Sequence, residues 1–565
     1  MPNRRSRSNR SRVLLTILAV GAFAFSLFIA ITGGVTTYIL GLRASSHRPL
    51  PALAIGWIAL LLAFGTDRVG VQLVRAGELL EKHSRAAAIG LTVITLLVGV
   101  LFGAFTAAGA DPYGYVSQAT LWTRGSVLQP QHPLAREAPW ANAAWSFSPL
   151  GYVPSADLAH IAPAYPVGLP LQMALAMKVG GMSAGYSVVP ILGALAVWLT
   201  FLLGRRASRS GYALAAALLV ACSPVFLFQL VQPMTDVPVT MWWLAATWAA
   251  SFGRVSGSVG AGLAASIALV TRPNLALLLL PVSAYVWMSA GLKTRWKAIG
   301  AFVIAVVPGF AVSAFVNDML FGSPLRSGYG GLSEIFHFAN MPPNLWRYPT
   351  WAVQTYSPFI FLAFLAPLLG PPSGVFKRTA WFAVAFTVLL FASYVFYTPF
   401  DHWTYLRFLL PATPALLLTA VPTLDRLLGR WERIRPIAFA ALISTLAIAY
   451  VHTAVRGDAF AMKRSRHMRY EDTARFAAQR FSSRAVFVSL LQSGSLRFYA
   501  DRLTIRYEVL EPSALAQVGP YLRKHGYDPY IAIDGTEQEA FQRRFGPLSL
   551  ELVAVFYGVY FYRAP

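Results

Sequence analysis

The sequence predicts an α-helical polytopic membrane protein of about thirteen transmembrane helices that ends in a small soluble α/β domain. Three observations carry this. Of 565 residues, 56% are hydrophobic and only 12% charged, too apolar a composition for a soluble globule. Apolar stretches of about 20 residues, the length that crosses a hydrocarbon core about 30 Å thick, recur as far as residue 455. Beyond that point the chain changes to shorter runs in which apolar and polar positions alternate.

Val13–Ile31 opens the series behind a basic leader. It is too long for the apolar part of a secretory signal and lacks a convincing cleavage site, so it reads as an uncleaved anchor. Leu50–Gly65, Ala87–Ala107, Ser183–Leu203 and Gly211–Val231 follow. Asp236–Phe252, Val259–Val270 and Asn274–Ala290 are short pieces separated by Pro and Gly. Ala298–Val316, Trp351–Leu369, Thr379–Tyr397, Leu406–Val421 and Pro436–Val451 complete the set. After about Arg456, the runs Ala485–Leu491, Thr504–Leu510, Pro529–Ile533 and Leu552–Tyr562 read as strands. Tyr470–Arg480 and Glu537–Phe545 read as helices, and Gln492–Tyr499 as a loop. Residues 1–455 are therefore expected to form the membrane domain, and 456–565 a soluble α/β domain large enough for its own core.

The formal charge of +24 is not gathered into one patch. The cations sit in alternate loops: Arg4 to Arg12, then Arg68 to Arg85, Arg205 to Arg209, Lys293 to Lys297, Lys377 and Arg378, and Arg426 to Arg435. Placing these in the cytoplasm satisfies the positive-inside rule, which explains the charge without a nucleic-acid partner. The N-terminus is then cytoplasmic, the protein is a multi-pass component of the cell (plasma or inner) membrane, and residues 456–565 lie on the opposite face. The lone Cys222 falls within a span, so the chain forms no intramolecular disulfide.

The same alternation delivers the loop Gly109–Met182, three short turns and the loop Asn317–Thr350 to the outer face. Asp111, His132, Asp157, His160, Asp236, Arg272, Arg326, Asp401, His402 and Arg407 all land there. Any one of them reads equally well as an interfacial anchor, but their shared sidedness suggests a site at the outer membrane surface. Gly109-Ala-Asp111-Pro-Tyr113-Gly-Tyr115 begins the first such loop and leads into a segment expected to lie in the interface plane. Asp111 is placed there to abstract a proton, or, with Pro112 behind it, simply to start a helix.

This loop resembles the first outer loop of the GT-C membrane glycosyltransferases, a superfamily that includes protein O-mannosyltransferases and lipid A aminoarabinose transferases. Further pieces follow in that family's order. Tyr165-Pro-Val-Gly168-Leu-Pro170-Leu resembles its entry into the next membrane helix. Pro233-Met-Thr-Asp236 resembles its second acidic motif, and Thr271-Arg272-Pro273 its turn between two short helices. Phe321-Gly-Ser-Pro-Leu-Arg326-Ser-Gly328-Tyr329 resembles an outer loop of bacterial members, and Arg407-Phe-Leu-Leu-Pro411 the start of a late span. The chain departs from the pattern in carrying a single acid, Asp111, in the first loop.

The resemblance implies transfer of a sugar from a polyprenyl-phosphate-linked donor to a hydroxyl of a glycan, lipid or protein acceptor, with the bilayer as the working surface. Asp111 is then the general base. Tyr113, Tyr115, Tyr165, Asp236, Arg272, Tyr329 and Arg407 are the substrate-binding candidates. Arg272 and Arg407 would neutralise the leaving phosphate, although both also fit snorkelling at helix ends. Asp236 would orient the acceptor or an arginine, or cap its helix; Tyr165 and Tyr329 would stack on sugar, or belong to the aromatic belt. Departure of a phosphate ester needs no metal in principle, and a divalent cation shared by Asp111 and Asp236 stays open. No Walker, Rossmann or zinc motif is present. The competing classes are a transporter, which needs ionisable groups near mid-membrane and internal repeats, and a non-catalytic protein of envelope assembly.

Overall fold

Hydrocarbon offers no partner to a free N–H or C=O, so an apolar stretch that enters it must close its own backbone hydrogen bonds as a helix. In the computed structural model, which describes residues 3–39, 42–331, 335–547 and 550–565, every one of the thirteen apolar stretches carries helix. Among the described residues, eight helices are long and apolar enough to cross a membrane, or up to ten if each of two bent pairs is one span. The remaining helices are short: Asp236–Ala250 has 15 residues and Val255–Thr271 has 17, which at 1.5 Å per residue gives roughly 23–26 Å. A 114° bend separates Phe338–Tyr356 from Pro358–Leu369. Between them Ser357 turns to φ 60° and its hydroxyl accepts from the Phe359 N–H.

The bundle packs through small residues. A Cβ on Gly262 would sit 2.5 Å from the Phe302 carbonyl oxygen, so Val255–Thr271 and Arg295–Phe321 meet backbone to backbone.

The direction of the long helices decides where the polar residues collect. Gly168–Ala207 begins just after Tyr165 and ends at Arg205 and Arg206. Arg295–Phe321 begins with Arg295 and Lys297 and ends at the loop that holds Tyr329. Gly374–Val395 carries Lys377 and Arg378 in its first turn and Tyr394 in its last. The helical run Trp403–Trp431 carries Arg407 near its start and Arg426 and Arg430 near its end. Each of these helices has basic residues toward one end, and at or near the other lies a candidate site residue or, for Gly374–Val395, Tyr394.

Residues after the last long helix, Arg435–Arg456, build a five-stranded sheet. Its order is Leu503–Ile505, Ala485–Val488, Asp528–Asp534, Val559–Arg563, Leu552–Phe556, parallel through the first three and antiparallel in the last two. Leu552–Tyr562, expected as one strand, is a hairpin that turns at Tyr557 and Gly558. Thr504–Leu510 is strand only as far as Ile505. Gln492–Tyr499, expected as a loop, is mostly the helix Ser493–Ala500: the Ser-Gly-Ser start hid the period, and Ser493 to Leu496 and Ala500 are its buried residues. One face of the sheet closes over the first loop. Leu134, Ala135, Trp140 and Phe147 enter the same core as Val486, Ile505 and Ile531, and the Tyr521 hydroxyl donates to the Leu134 carbonyl at 2.8 Å.

Candidate active site

Asp111 is the first residue of the helix Asp111–Thr123, yet its side chain does not cap that helix. Its Oδ1 accepts from the Tyr165 hydroxyl at 2.8 Å and its Oδ2 from Arg407 Nη2 at 3.0 Å. Tyr165 reaches it because position 114 is glycine: a Cβ there would lie 2.2 Å from the tyrosine ring. Burial and the neighbouring carboxylate of Asp111 hold the Tyr165 hydroxyl protonated, well above the usual phenol range, so it acts as a donor. The glycine of the Tyr-Pro motif has a similar purpose. A Cβ on Gly168 would sit 2.5 Å from Thr271, so this helix start and the Thr271-Arg272 turn are pressed together.

Asp236 starts the helix Asp236–Ala250 and is wholly buried. Arg272, at the end of Val255–Thr271, donates from Nη2 to Asp236 Oδ1 at 2.7 Å, from Nε to the Thr235 hydroxyl at 3.0 Å and from Nη1 to the Tyr394 hydroxyl at 3.1 Å. Tyr115 shares a 3.3 Å hydrogen bond with Thr235, and its ring lies 4.8 Å from that of Tyr165. Arg407 Nη1 stands 3.9 Å from Asp236 Oδ2. The two guanidinium groups flank Phe408, at 5.5 and 5.2 Å from its ring centre, and Phe408 is stacked on Tyr394.

Of the eight residues singled out in the sequence, seven meet here, since the Tyr329 ring also stands edge-on to Tyr165 at 5.8 Å. Tyr113 does not. Two residues before Tyr115, it points about 200° around the helix and packs against Tyr152 and Phe498 of the C-terminal region, where burial pushes its hydroxyl up to about 12. Arg326 is exposed outside the cluster. Asp157 pairs with His160 at 2.8 Å and Asp401 with Arg347 at 2.5 Å, both on the surface. Thr235, Tyr394 and Phe408 join the cluster unpredicted. Thr235 and Phe408 adjoin motif residues, whereas Tyr394 sits in an uncharged span and gave no signal.

Arg407 bridges the two carboxylates, so the position a shared divalent cation would need is held by a guanidinium. Among the described residues, no group of three His, Cys, Asp or Glu converges as metal ligands. The donor set does not fit the metal left open above.

The same architecture occurs in ArnT from Cupriavidus metallidurans. Its structure bound to undecaprenyl phosphate matches with a TM-score of 0.54 at 13% identity, covering 84% of this chain and 97% of that one. Its apo structure matches at 0.53 over the same shares, also at 13% identity. The chain has the GT-C fold. The family model of dolichyl-phosphate-mannose-protein mannosyltransferases matches residues 163–315, a span that runs from the Tyr-Pro motif through Asp236 and Arg272. No curated protein matches the sequence. With its apolar helices, this GT-C chain is a multi-pass membrane protein.

Proposed function

We propose that the protein is a membrane glycosyltransferase that moves a sugar from a polyprenyl-phosphate-linked donor to a hydroxyl acceptor at the outer face of the membrane. The observation that carries this is a difference between two carboxylates. The side chain of Asp111 is 30% exposed, whereas that of Asp236 is 0% exposed and locked to Arg272. A general base must touch the proton it removes, and only Asp111 is open to an acceptor. Each of its oxygens accepts one hydrogen bond from the protein and keeps a second lone-pair direction free.

In this reading the acceptor hydroxyl gives its proton to Asp111 as its oxygen attacks the anomeric carbon. The bond from that carbon to the phosphate oxygen breaks on the opposite side, and its electron pair leaves with the lipid phosphate, inverting the centre. Arg407 is the cation for the growing charge: its Nη2 is held by Asp111, while its Nη1, 3.9 Å from Asp236 Oδ2, makes no hydrogen bond among the described residues. Arg272 has three nitrogens committed, so it acts by fixing Asp236, which in turn sets Arg407. Tyr115 and Tyr329 complete the wall around Tyr165.

The ArnT structure with undecaprenyl phosphate and the matched mannosyltransferase family both support a lipid-phosphate donor. Basic clusters at the far ends of the helices that carry site residues support an outward-facing site, with residues 456–565 forming a soluble domain on that side and residues 1–455 the membrane domain. A transporter needs charge near mid-span, and here Asp236, Arg272 and Arg407 lie at helix ends. Purified protein given a panel of polyprenyl-phosphate sugars and a membrane extract as acceptor is expected to consume one donor and release free polyprenyl phosphate. No consumption across the panel would count against the reading.

A further inference from the structure

In the cluster at Asp111, two aspartates face two arginines, so it is electrically neutral before any anion arrives. Beside it lies a cavity of about 410 Å3 whose charge is not balanced. Phe228, Trp403 and Tyr470 line it together with Arg456, Arg466 and Arg469. Trp403 begins the helical turn that carries Arg407. Tyr470 packs against Gly109, two residues before Asp111: a Cβ on that glycine would lie 3.5 Å from its hydroxyl. The cavity is therefore built on the segments that position the base and its arginine.

Its three arginines are not equivalent. Arg469 is committed to Asp534 and, at 2.7 Å, to the Thr536 hydroxyl. Arg456 is exposed at the rim and Arg466 is half-buried; neither has an ion pair or a hydrogen-bond partner among the described residues. The single carboxylate on the cavity, Asp458, is exposed. Burial pulls the pKa of Arg466 down, and the charges of Asp111 and Arg407 both act on it. A half-buried guanidinium without a counter-charge costs stability unless an anion completes it.

We propose that this cavity binds a phosphate group, gripped by Arg466 and steered by Arg456 at the rim, next to Asp111. A guanidinium offers a planar fork to two phosphate oxygens, and the cavity falls in the range of about 300–1,000 Å3 that small-molecule sites occupy. The phosphate has two sources under the glycosyltransferase reading, on which only its purpose rests: the lipid carrier, or a phosphate borne by a water-soluble acceptor. Binding itself is measurable without turnover.

The test uses the full-length protein in phosphatidylcholine nanodiscs, titrated calorimetrically with farnesyl phosphate, farnesol and glycerol 3-phosphate. Arg466→Gln is expected to weaken phosphate binding about tenfold or more, and Arg456→Gln about two- to fivefold, with farnesol unaffected. Lys524→Gln, at an exposed position of the C-terminal region, is the control and binds as wild type. Dependence on Arg466 for farnesyl phosphate alone assigns the cavity to the carrier; dependence for glycerol 3-phosphate as well assigns it to a soluble phosphate. Should Arg466→Gln misfold, Arg456→Gln decides. Wild type that binds neither phosphate, or foldable arginine variants that bind both as wild type does, would overturn the proposal. Asp111→Asn is expected to keep phosphate binding, so a failure of the catalytic reading leaves a distinct signature.

Discussion

Nη2 of Arg407 donates to Oδ2 of Asp111 at 3.0 Å, joining residues 296 positions apart in the chain. The same guanidinium stands 3.9 Å from Asp236, whose other oxygen is held by Arg272. Charge thus alternates along Asp111, Arg407, Asp236 and Arg272. Each charge of this row has an opposite neighbour, which makes burial tolerable and makes the loss of a fully buried member such as Asp236, or of its partner, costly.

The two arginines should respond differently to substitution. Arg272→Ala leaves Asp236 buried without its partner and is expected to cost about 3–5 kcal/mol, read as a lowered Tm of the purified protein. The double variant Asp236→Asn with Arg272→Ala should recover part of that loss. Arg407→Lys keeps the charge but not the fork, and kcat/KM is expected to fall about 10- to 150-fold at near-normal Tm. Lysine variants within about twofold of wild type at both positions would reduce both arginines to helix-end anchors.

Gly114→Ala puts a methyl 2.2 Å from the ring of Tyr165. The ring must move, and its hydroxyl must leave Asp111. Transfer should fall further than in Tyr165→Phe, which deletes one hydrogen bond worth about 1 kcal/mol. Equal rates for Gly114→Ala and wild type would mean that the ring is free to shift without consequence.

Much of this was legible in the sequence because the physics is local. Uncharged stretches announce helices, and basic loops mark one end of each. Asp111, Asp236, Arg272 and Arg407 stood out as polar groups at helix ends, Tyr165 only through the resemblance of its Tyr-Pro motif, and the fold brings the five into one cluster. Tyr113 and Tyr115 looked alike, since both are aromatics in one motif, but a helix sends residues two apart to opposite sides. Tyr394 and the helix at Ser493 were invisible: one is a tyrosine in an apolar span, the other a serine-rich turn defined only by what it packs against.

Glu537 gives the C-terminal region a pH dependence. Burial raises its carboxyl from 4.5 to about 7, although it accepts from the Leu491 and Asp534 N–H groups and from the Tyr507 hydroxyl. Between these values the folded state holds a proton that the unfolded state has released. The contribution of Glu537 to stability is therefore full below about pH 4.5 and is lost as pH rises to about 7. Hydrogen exchange of Asp528–Asp534 in the full-length protein should accelerate over that window, beyond the intrinsic pH effect. Glu537→Gln should abolish the excess; the same slope in that variant would assign it to another group.

Sidedness is open to labelling, because Cys222 is the only cysteine to remove. Single cysteines near Arg206, Arg295 and Arg430 are expected to react only from the cytoplasm, and those near Asn142, Gly330 and Gly526 only from outside. Labelling of Gly526 from the cytoplasm would reverse the proposed orientation and the side from which acceptor arrives.

The most direct measurement is the turnover of Asp111→Asn with a polyprenyl-phosphate sugar that the wild-type protein consumes. Asparagine keeps the shape and one acceptor oxygen for Arg407, so the variant should fold, insert and bind donor as wild type does. It has no carboxylate to take the acceptor's proton, and kcat is expected to fall about 10²–10⁴-fold. Turnover within about twofold of wild type would contradict the assignment of Asp111 as the base.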